Sequence, residues 1–268
     1  MKGKIFKVPF ILKYDKDLTN KKINTFVELK KLKIKSHNQI NYKNKIIDGL
    51  NELIILNSKL ISQYKLKKNN LSFSSNNSQL INNKIDYNGN LNFDPFELIL
   101  DINLQKINLK NFFNTESIFF ELIKSERLFN DNLNVTTSFN SSEILDNRIL
   151  DKLKVNFNIK NGKINFDKSQ ILSNRIGILE LKNSELIFNG SNLMFFGDFN
   201  LKIKSAEKFF SFFQTSKKYR KKIENIFFKV EYNITSGKLN LSNFKIDKNV
   251  TNEKINNMLN DFNSTENQ

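Results

Sequence analysis

Leu153-Lys-Val-Asn-Phe-Asn-Ile-Lys-Asn-Gly-Lys-Ile-Asn-Phe166 decides the fold class. Val155, Phe157 and Ile159 fall on one face and Lys154, Asn156, Asn158 and Lys160 on the other, the period of two of a strand buried on one side. Asn161-Gly162 is a strong hairpin signal, and Ile164 and Phe166 resume the alternation. The pattern continues to Ser205 through segments 176–181, 185–188, 193–196 and 199–203. Asn189-Gly190 and Gly197-Asp198 read as the turns between them. No helical period intervenes, so this block is expected to be consecutive antiparallel strands with one apolar face.

Upstream, residues 4–14 read as a first strand in which Pro9 implies an edge or a bulge, because proline cannot donate to a ladder. Asp15 and Asp17 lie in a turn without the glycine and third ligand of a calcium loop. Ile23, Thr25, Val27 and Leu29 alternate, and Leu32 and Ile34 follow in the opposite phase. That slip predicts a bulge or tight turn at Lys30-Lys31. His37, the one histidine, reads as a polar junction residue. Strands follow at 39–46, 52–56, 60–66 and 71–74, and the Ser/Asn-rich stretch 74–83 reads as a loop or an irregular strand. Segments 85–87 and 91–93 form a hairpin about Asn88-Gly89, and Asp94-Pro95 opens a turn into the strand 96–104.

At Phe112 the period changes. Asn114 or Thr115 would cap a helix carrying Glu116, Phe119, Leu122, Ile123 and Leu128. A strand through Leu133, Val135 and Phe139 and a short helix at 142–150 come next. After the central block, Ser205 starts a helix whose Phe209, Phe212 and Phe213 share a face. A final hairpin turns at Ser236-Gly237. Thr251 opens a terminal helix with Ile255, Met258, Leu259 and Phe262 on one side.

Composition narrows the chemistry. The 268 residues contain no cysteine, which removes disulfides, thiolate zinc sites and cysteine nucleophiles. One histidine argues against His-based catalysis and multi-His metal binding. Nucleotide-binding glycine loops, nucleophile elbows and zinc-protease helices are missing from the sequence. The carboxylates are scattered, so no enzyme, cofactor or metal is expected. The net charge of +16 is uneven: residues 1–70 hold 17 Lys/Arg against 5 Asp/Glu, and residues 71–150 hold 6 against 10. Base-reading motifs are missing as well. The lysines mostly occupy the polar positions of strands, which makes them a solubilising face, and no nucleic-acid partner is expected. No apolar run is long enough to span a bilayer as a helix, and residues 5–12, interrupted by Lys7 and Pro9, do not read as a signal peptide.

Phe209, Phe210, Phe212 and Phe213, followed by Lys217, Lys218, Arg220, Lys221 and Lys222, have two readings. One is a helix laid on a membrane surface. The other, plainer one is an aromatic plug at the end of the sheet with its charges left in water. A larger imbalance frames both, because many strands each present an apolar face and only about four short helices are available to cover them. Either two sheets close on one another, or the face wraps into a trough with apolar contents.

Five segments carry a family resemblance: Gly3-Lys-Ile-Phe-Lys-Val-Pro-Phe-Ile-Leu12, Asn88-Gly-Asn-Leu-Asn-Phe-Asp-Pro-Phe-Glu-Leu98, Asn161-Gly-Lys-Ile-Asn-Phe166, Ile176-Gly-Ile-Leu-Glu-Leu181, and Gly197-Asp-Phe-Asn-Leu-Lys-Ile203 with the Phe-rich helix after it. Together they resemble the AsmA-like family, the repeating β-groove and TamB-type proteins of Gram-negative envelopes. The resemblance implies a mainly β fold, a strongly curved antiparallel sheet forming a groove or half-open barrel with a few short α-helices. It implies a non-enzymatic role in phospholipid transport or outer-membrane assembly, at the inner membrane or in the periplasm, with the family's anchoring segment absent from this chain. Phospholipid or another acyl-chain lipid, the membrane surface and unidentified envelope proteins would be the partners.

On this reading Val155, Phe157, Ile159, Ile164, Phe166, Phe199, Leu201 and Ile203 line the groove. The expected organisation is a strand-rich half at 1–110, a helix-strand-helix connection at 111–152, a second strand-rich half at 153–250 and a terminal helix at 251–268. A sealed β-sandwich acting as a scaffold is the competing expectation, with a basic nucleic-acid binder behind it.

Overall fold

The computed structural model describes residues 1–5, 8–42, 46–80, 83–112, 123–247, 249–250, 257 and 263. The fold is mainly β, a curved antiparallel sheet with little helix. The chain divides into two units, Met1–Lys106 and Ile107–Gln268.

The first unit is a meander of β1 (Lys2–Ile5), β2 (Val8–Asp17), β3 (Lys22–Leu29), β4 (Ile34–Asn41), β5 (Ile47–Ile55), β6 (Ser58–Lys67), β7 (Asn70–Leu80), β8 (Asn83–Phe93) and β9 (Phe96–Leu104). Each strand pairs antiparallel with the next. Directly opposed residues share a face, so the register draws rows across the sheet. Leu12, Val27, Ser36, Leu53 and Leu60 form one row. Ile23, Ile40, Gly49, Tyr64, Phe73, Gly89 and Leu100 form another.

The second unit contains α1 (Leu109–Phe112), β10 (Asn134–Ser141), β11 (Lys152–Lys160), β12 (Lys163–Asn165), β13 (Gln170–Ser173), β14 (Gly177–Asn189), β15 (Asn192–Ile203), α2 (Ala206–Phe212), β16 (Asn225–Asn233), β17 (Lys238–Ile246) and β18 (Asn249–Val250). The strands again run antiparallel, with β12 and β13 both pairing with β11 and both pairing with β14. Ile107 forms an isolated parallel bridge with Ile144. The outer edge of β17 is met by β18 and, at Leu241, by the side-chain amide of Asn263, which gives and accepts one hydrogen bond at 2.9 Å each.

Serine hydroxyls hold the ladders together where they break. Residues 166–169 loop out between β12 and β13, and the Asn156 N–H that loses its ladder partner donates to Ser169 Oγ at 2.9 Å. In β14 the register slips between Lys182 and Glu185, opposite Gly197. This bulge is fastened by Asp167, whose Oδ1 accepts from the Ser184 N–H at 2.7 Å and the Ser184 hydroxyl at 2.6 Å, while the Phe166 N–H donates to Ser184 Oγ at 2.8 Å. The first unit repeats the device where β7 slips between Ser75 and Ser78: the Ile61 N–H donates to Ser78 Oγ at 2.8 Å, and the two serine hydroxyls meet at 2.7 Å.

Several local expectations change. The N-terminal strand is the hairpin β1–β2, with Pro9 opposite Lys4 and beyond the last β2–β3 pair. His37 lies in mid-strand on the exposed side of β4, between Phe26 and Glu52. Asn88-Gly89 and Gly197-Asp198 are strand interiors, because these glycines seat neighbouring side chains: an added Cβ would lie 2.5 Å from the Phe73 ring at Gly89 and 2.6 Å from Leu181 at Gly197. Stretch 142–150 holds bends and the Ile107–Ile144 bridge in place of a helix. The slip at Lys30-Lys31 is a 3-10 turn ending in left-handed Lys33. Asn161-Gly162, Asn189-Gly190 and Ser236-Gly237 do turn the chain. Asn114, Thr115, Glu116, Phe119, Leu122 and most of the expected terminal helix lie outside the described residues.

Asp167→Ala would leave the amide and hydroxyl of Ser184, itself 5% exposed, without their acceptor. We expect a loss of about 1–3 kcal/mol in chemical denaturation, and a variant as stable as the parent would show that the bulge does not depend on this carboxylate.

Candidate functional site

The eight side chains expected to line a groove share one face of the second unit. Cross-strand pairs Ile159–Ile164, Ile164–Leu186 and Leu186–Phe195 carry that face from β11 to β15, where Phe199, Leu201 and Ile203 continue it. Their surroundings separate them into two groups. Val155, Phe157, Ile159 and Ile164 are core, with exposures of 7%, 6%, 1% and 0%. Phe157, Ile159 and Ile164 cluster with Ile123, Leu186 and Leu193, and Leu128, Phe129 and Leu133 pack against the cluster. The chain itself covers this end of the face, so these residues line no open surface here. Phe166, Phe199, Leu201 and Ile203 remain half-buried.

A file of aromatic rings joins the two groups. Phe157 meets Phe166 at 5.5 Å between ring centroids, Phe166 meets Phe195 at 6.1 Å, and Phe195 meets Phe199 at 6.4 Å. Phe199 stacks on Phe228 at 5.4 Å with planes 7° apart, and Phe228 meets Phe244 at 6.1 Å. The file runs from sealed core to half-buried face. Phe195, Phe228 and Phe244 were not singled out in the sequence, although their alternation phase, combined with the pairing order, places them there.

The first unit presents a broader face. Ile85 is its one buried apolar side chain among the described residues, and Leu12, Val27, Ile40, Leu53, Leu60 and Leu100 are half-buried. No described helix belongs to this unit beyond the single 3-10 turn. Two features settle side chains within the face. Tyr64 and Phe73 lie over the glycines opposite them, where an added Cβ would stand 2.4 Å from the Tyr64 ring at Gly49 and 2.5 Å from the Phe73 ring at Gly89. A polar row, Asn38, Asn51 and Ser62, is also paired within the face: the Tyr64 hydroxyl donates to Asn38 Oδ1 at 2.9 Å, Ser62 Oγ and the Tyr87 hydroxyl meet at 2.6 Å, and Asn51 Nδ2 donates to Ser36 Oγ at 3.4 Å. Mainly apolar rows flank this polar one. Burial holds the Tyr64 phenol above its usual pKa, with Asp48 adding to the effect.

α2 starts as expected, with Ser205 Oγ accepting from the Lys208 N–H at 3.3 Å. Phe209 and Phe210 are half-buried, whereas Phe212 and Phe213 are exposed, as are Lys217, Lys218, Lys221 and Lys222. Arg220 is half-buried, and its Nε donates to the Thr215 carbonyl at 2.9 Å. No group of three or more His, Cys, Asp or Glu is placed to hold a metal among the described residues. A surface concavity of about 270 Å³ beside the β7 bulge is lined by the amides of Gln63, Asn76, Asn77, Asn88 and Asn103 together with Ile61, Ser74, Ser75, Asp86 and Tyr87.

Geometry defines the class as a one-faced antiparallel β protein with a partly sealed apolar face. Set against family models, curated proteins and solved structures, the chain matches none.

Two outcomes follow. A folded pKa above the unfolded one makes the Tyr64 contribution complete below about pH 10 and lost as pH rises through the folded value. Unfolding free energies of the parent minus those of Tyr64→Phe, measured from neutral to alkaline pH, should fall on the alkaline side, and a flat difference would refute the assignment. A double-mutant cycle on Phe199→Ala and Phe228→Ala should give a coupling of about 0.5–1.5 kcal/mol from the stacked pair, and zero coupling would remove the stack as a stabilising contact.

Proposed function

We propose that this is a non-enzymatic envelope protein that shields lipid acyl chains along its apolar sheet face and serves phospholipid transport or outer-membrane assembly, as the resemblance to the AsmA-like family implies. The observation that carries the proposal is the half-buried apolar face of the first unit, for which that unit's described residues supply no second layer. Apolar surface left in water costs roughly 25 cal/mol per Å². An apolar face of this kind is expected to receive a partner, and acyl chains match its apolar rows on either side of a polar row whose hydrogen bonds are made within the face. In the second unit the half-buried band Phe166, Phe199, Leu201 and Ile203 extends the same chemistry.

A second reading has its own support. The sealed cluster around Phe157, Ile159 and Ile164 is that of a closed structural module, and it favours a scaffold for the end of the second unit covered by Ile123, Leu128 and Phe129.

Native mass spectrometry of gently purified protein separates the readings. Co-purifying lipid is expected, and Leu53→Lys with Leu60→Lys, both on the half-buried face, should abolish it while the melting temperature changes little. Phe157→Lys should instead unfold the second unit, because it buries a charge in a covered core. No bound lipid in the parent, or undiminished lipid in the Leu53/Leu60 variant, would refute the groove proposal.

A further inference from the structure

The β15–β16 connection brings exposed aromatic rings and cations onto one short segment. Phe212, Phe213 and Tyr219 are 47%, 59% and 63% exposed. The Phe213 ring lies 4.8 Å from Phe209 and 4.8 Å from Phe212 between centroids, so three rings form one apolar knob. Residues 204–222 hold seven Lys/Arg against one Glu. Arg220 secures the loop through Thr215, Lys218 stands over the Tyr219 ring at 4.8 Å, and Lys222 pairs with Glu224 at 2.9 Å. Lys204, Lys208, Lys217 and Lys221 are exposed beside them.

Aromatic rings surrounded by cations match the two layers of an anionic bilayer surface, an apolar interface beneath a sheet of phosphates. Single-stranded nucleic acid fits less well. Stacked bases need open ring faces, and Phe209, Phe212 and Phe213 are packed against one another in tilted and edge-to-face contacts.

We propose that this knob docks the protein on an anionic membrane surface. Phe212 and Phe213 enter the headgroup–acyl boundary while Lys208, Lys217, Lys218 and Lys221 meet lipid phosphates. The site lies on a connecting loop and does not depend on lipid binding along the sheet face.

Co-sedimentation of the full chain with vesicles of phosphatidylcholine alone, and of phosphatidylcholine mixed with phosphatidylglycerol, tests it. The parent should adsorb to the mixed vesicles and weaken with added salt. Lys217→Gln, Lys218→Gln and Lys221→Gln together should lower partitioning about a hundredfold, at roughly fivefold for each cation lost. Phe212→Ser with Phe213→Ser should lower it more than tenfold. All five positions are exposed, and unchanged circular dichroism and melting would verify the fold of each variant. Failure of the parent to adsorb, or adsorption unchanged in either variant, would overturn the proposal. Retained binding in the phenylalanine variant with loss in the lysine variant would identify a general polyanion site instead. Co-purified lipid is read separately by native mass spectrometry, so the groove and the docking knob stand or fall independently.

Discussion

A pleated strand turns alternate side chains to opposite faces, and only an inserted residue changes their order. This constraint governs both units. In β14, Leu179 and Leu181 precede the slip and Leu186 and Phe188 follow it, a change of parity that would send half of the strand's apolar residues into water. The bulge opposite Gly197 restores them to one face, and Asp167 and Ser184 supply the hydrogen bonds that the interrupted ladder gives up. At β7, Ser75 and Ser78 do the same with hydroxyls alone. A hydroxyl can both donate and accept, so one serine can replace the backbone partner removed by a bulge.

With the apolar residues kept to one side, each unit needs a means of keeping that side from water. The second unit uses its own chain: residues 123–133 contribute Ile123, Leu128, Phe129 and Leu133, which close over Phe157, Ile159 and Ile164. The first unit uses its side chains. Tyr64 and Phe73 fold down over Gly49 and Gly89, and the polar row through Asn38, Asn51 and Ser62 satisfies itself within the face. Flattened rings reduce exposed area without adding a layer.

Charge has little part in holding the sheet. The ion pairs Lys35–Glu28, Lys59–Glu52, Lys182–Glu180 and Lys229–Asp198 span 3.0–3.7 Å between partly exposed groups, a setting in which such pairs contribute little. Their place on the polar sides of strands agrees with the solubilising role read from the pattern of lysines. The exception is the 204–222 segment, where cations gather around exposed rings in place of neighbouring carboxylates.

The sequence by itself determined the fold class, most of the strand positions and most of the apolar face, because period-two alternation is a local property of the chain. It also located the true hairpins: Asn161-Gly162, Asn189-Gly190 and Ser236-Gly237 turn as read. Asn88-Gly89 and Gly197-Asp198 carry similar turn chemistry and do not turn, because the groups that occupy the space above these glycines, Phe73 and Leu181, come from other strands. The same limit applied to the candidate site. Alternation placed Val155, Phe157, Ile159, Ile164, Phe166, Phe199, Leu201 and Ile203 on one face, but which of them are sealed depends on a segment more than twenty residues upstream of Val155. Local periodicity specifies which way a side chain points, and only the tertiary structure decides what stands in front of it.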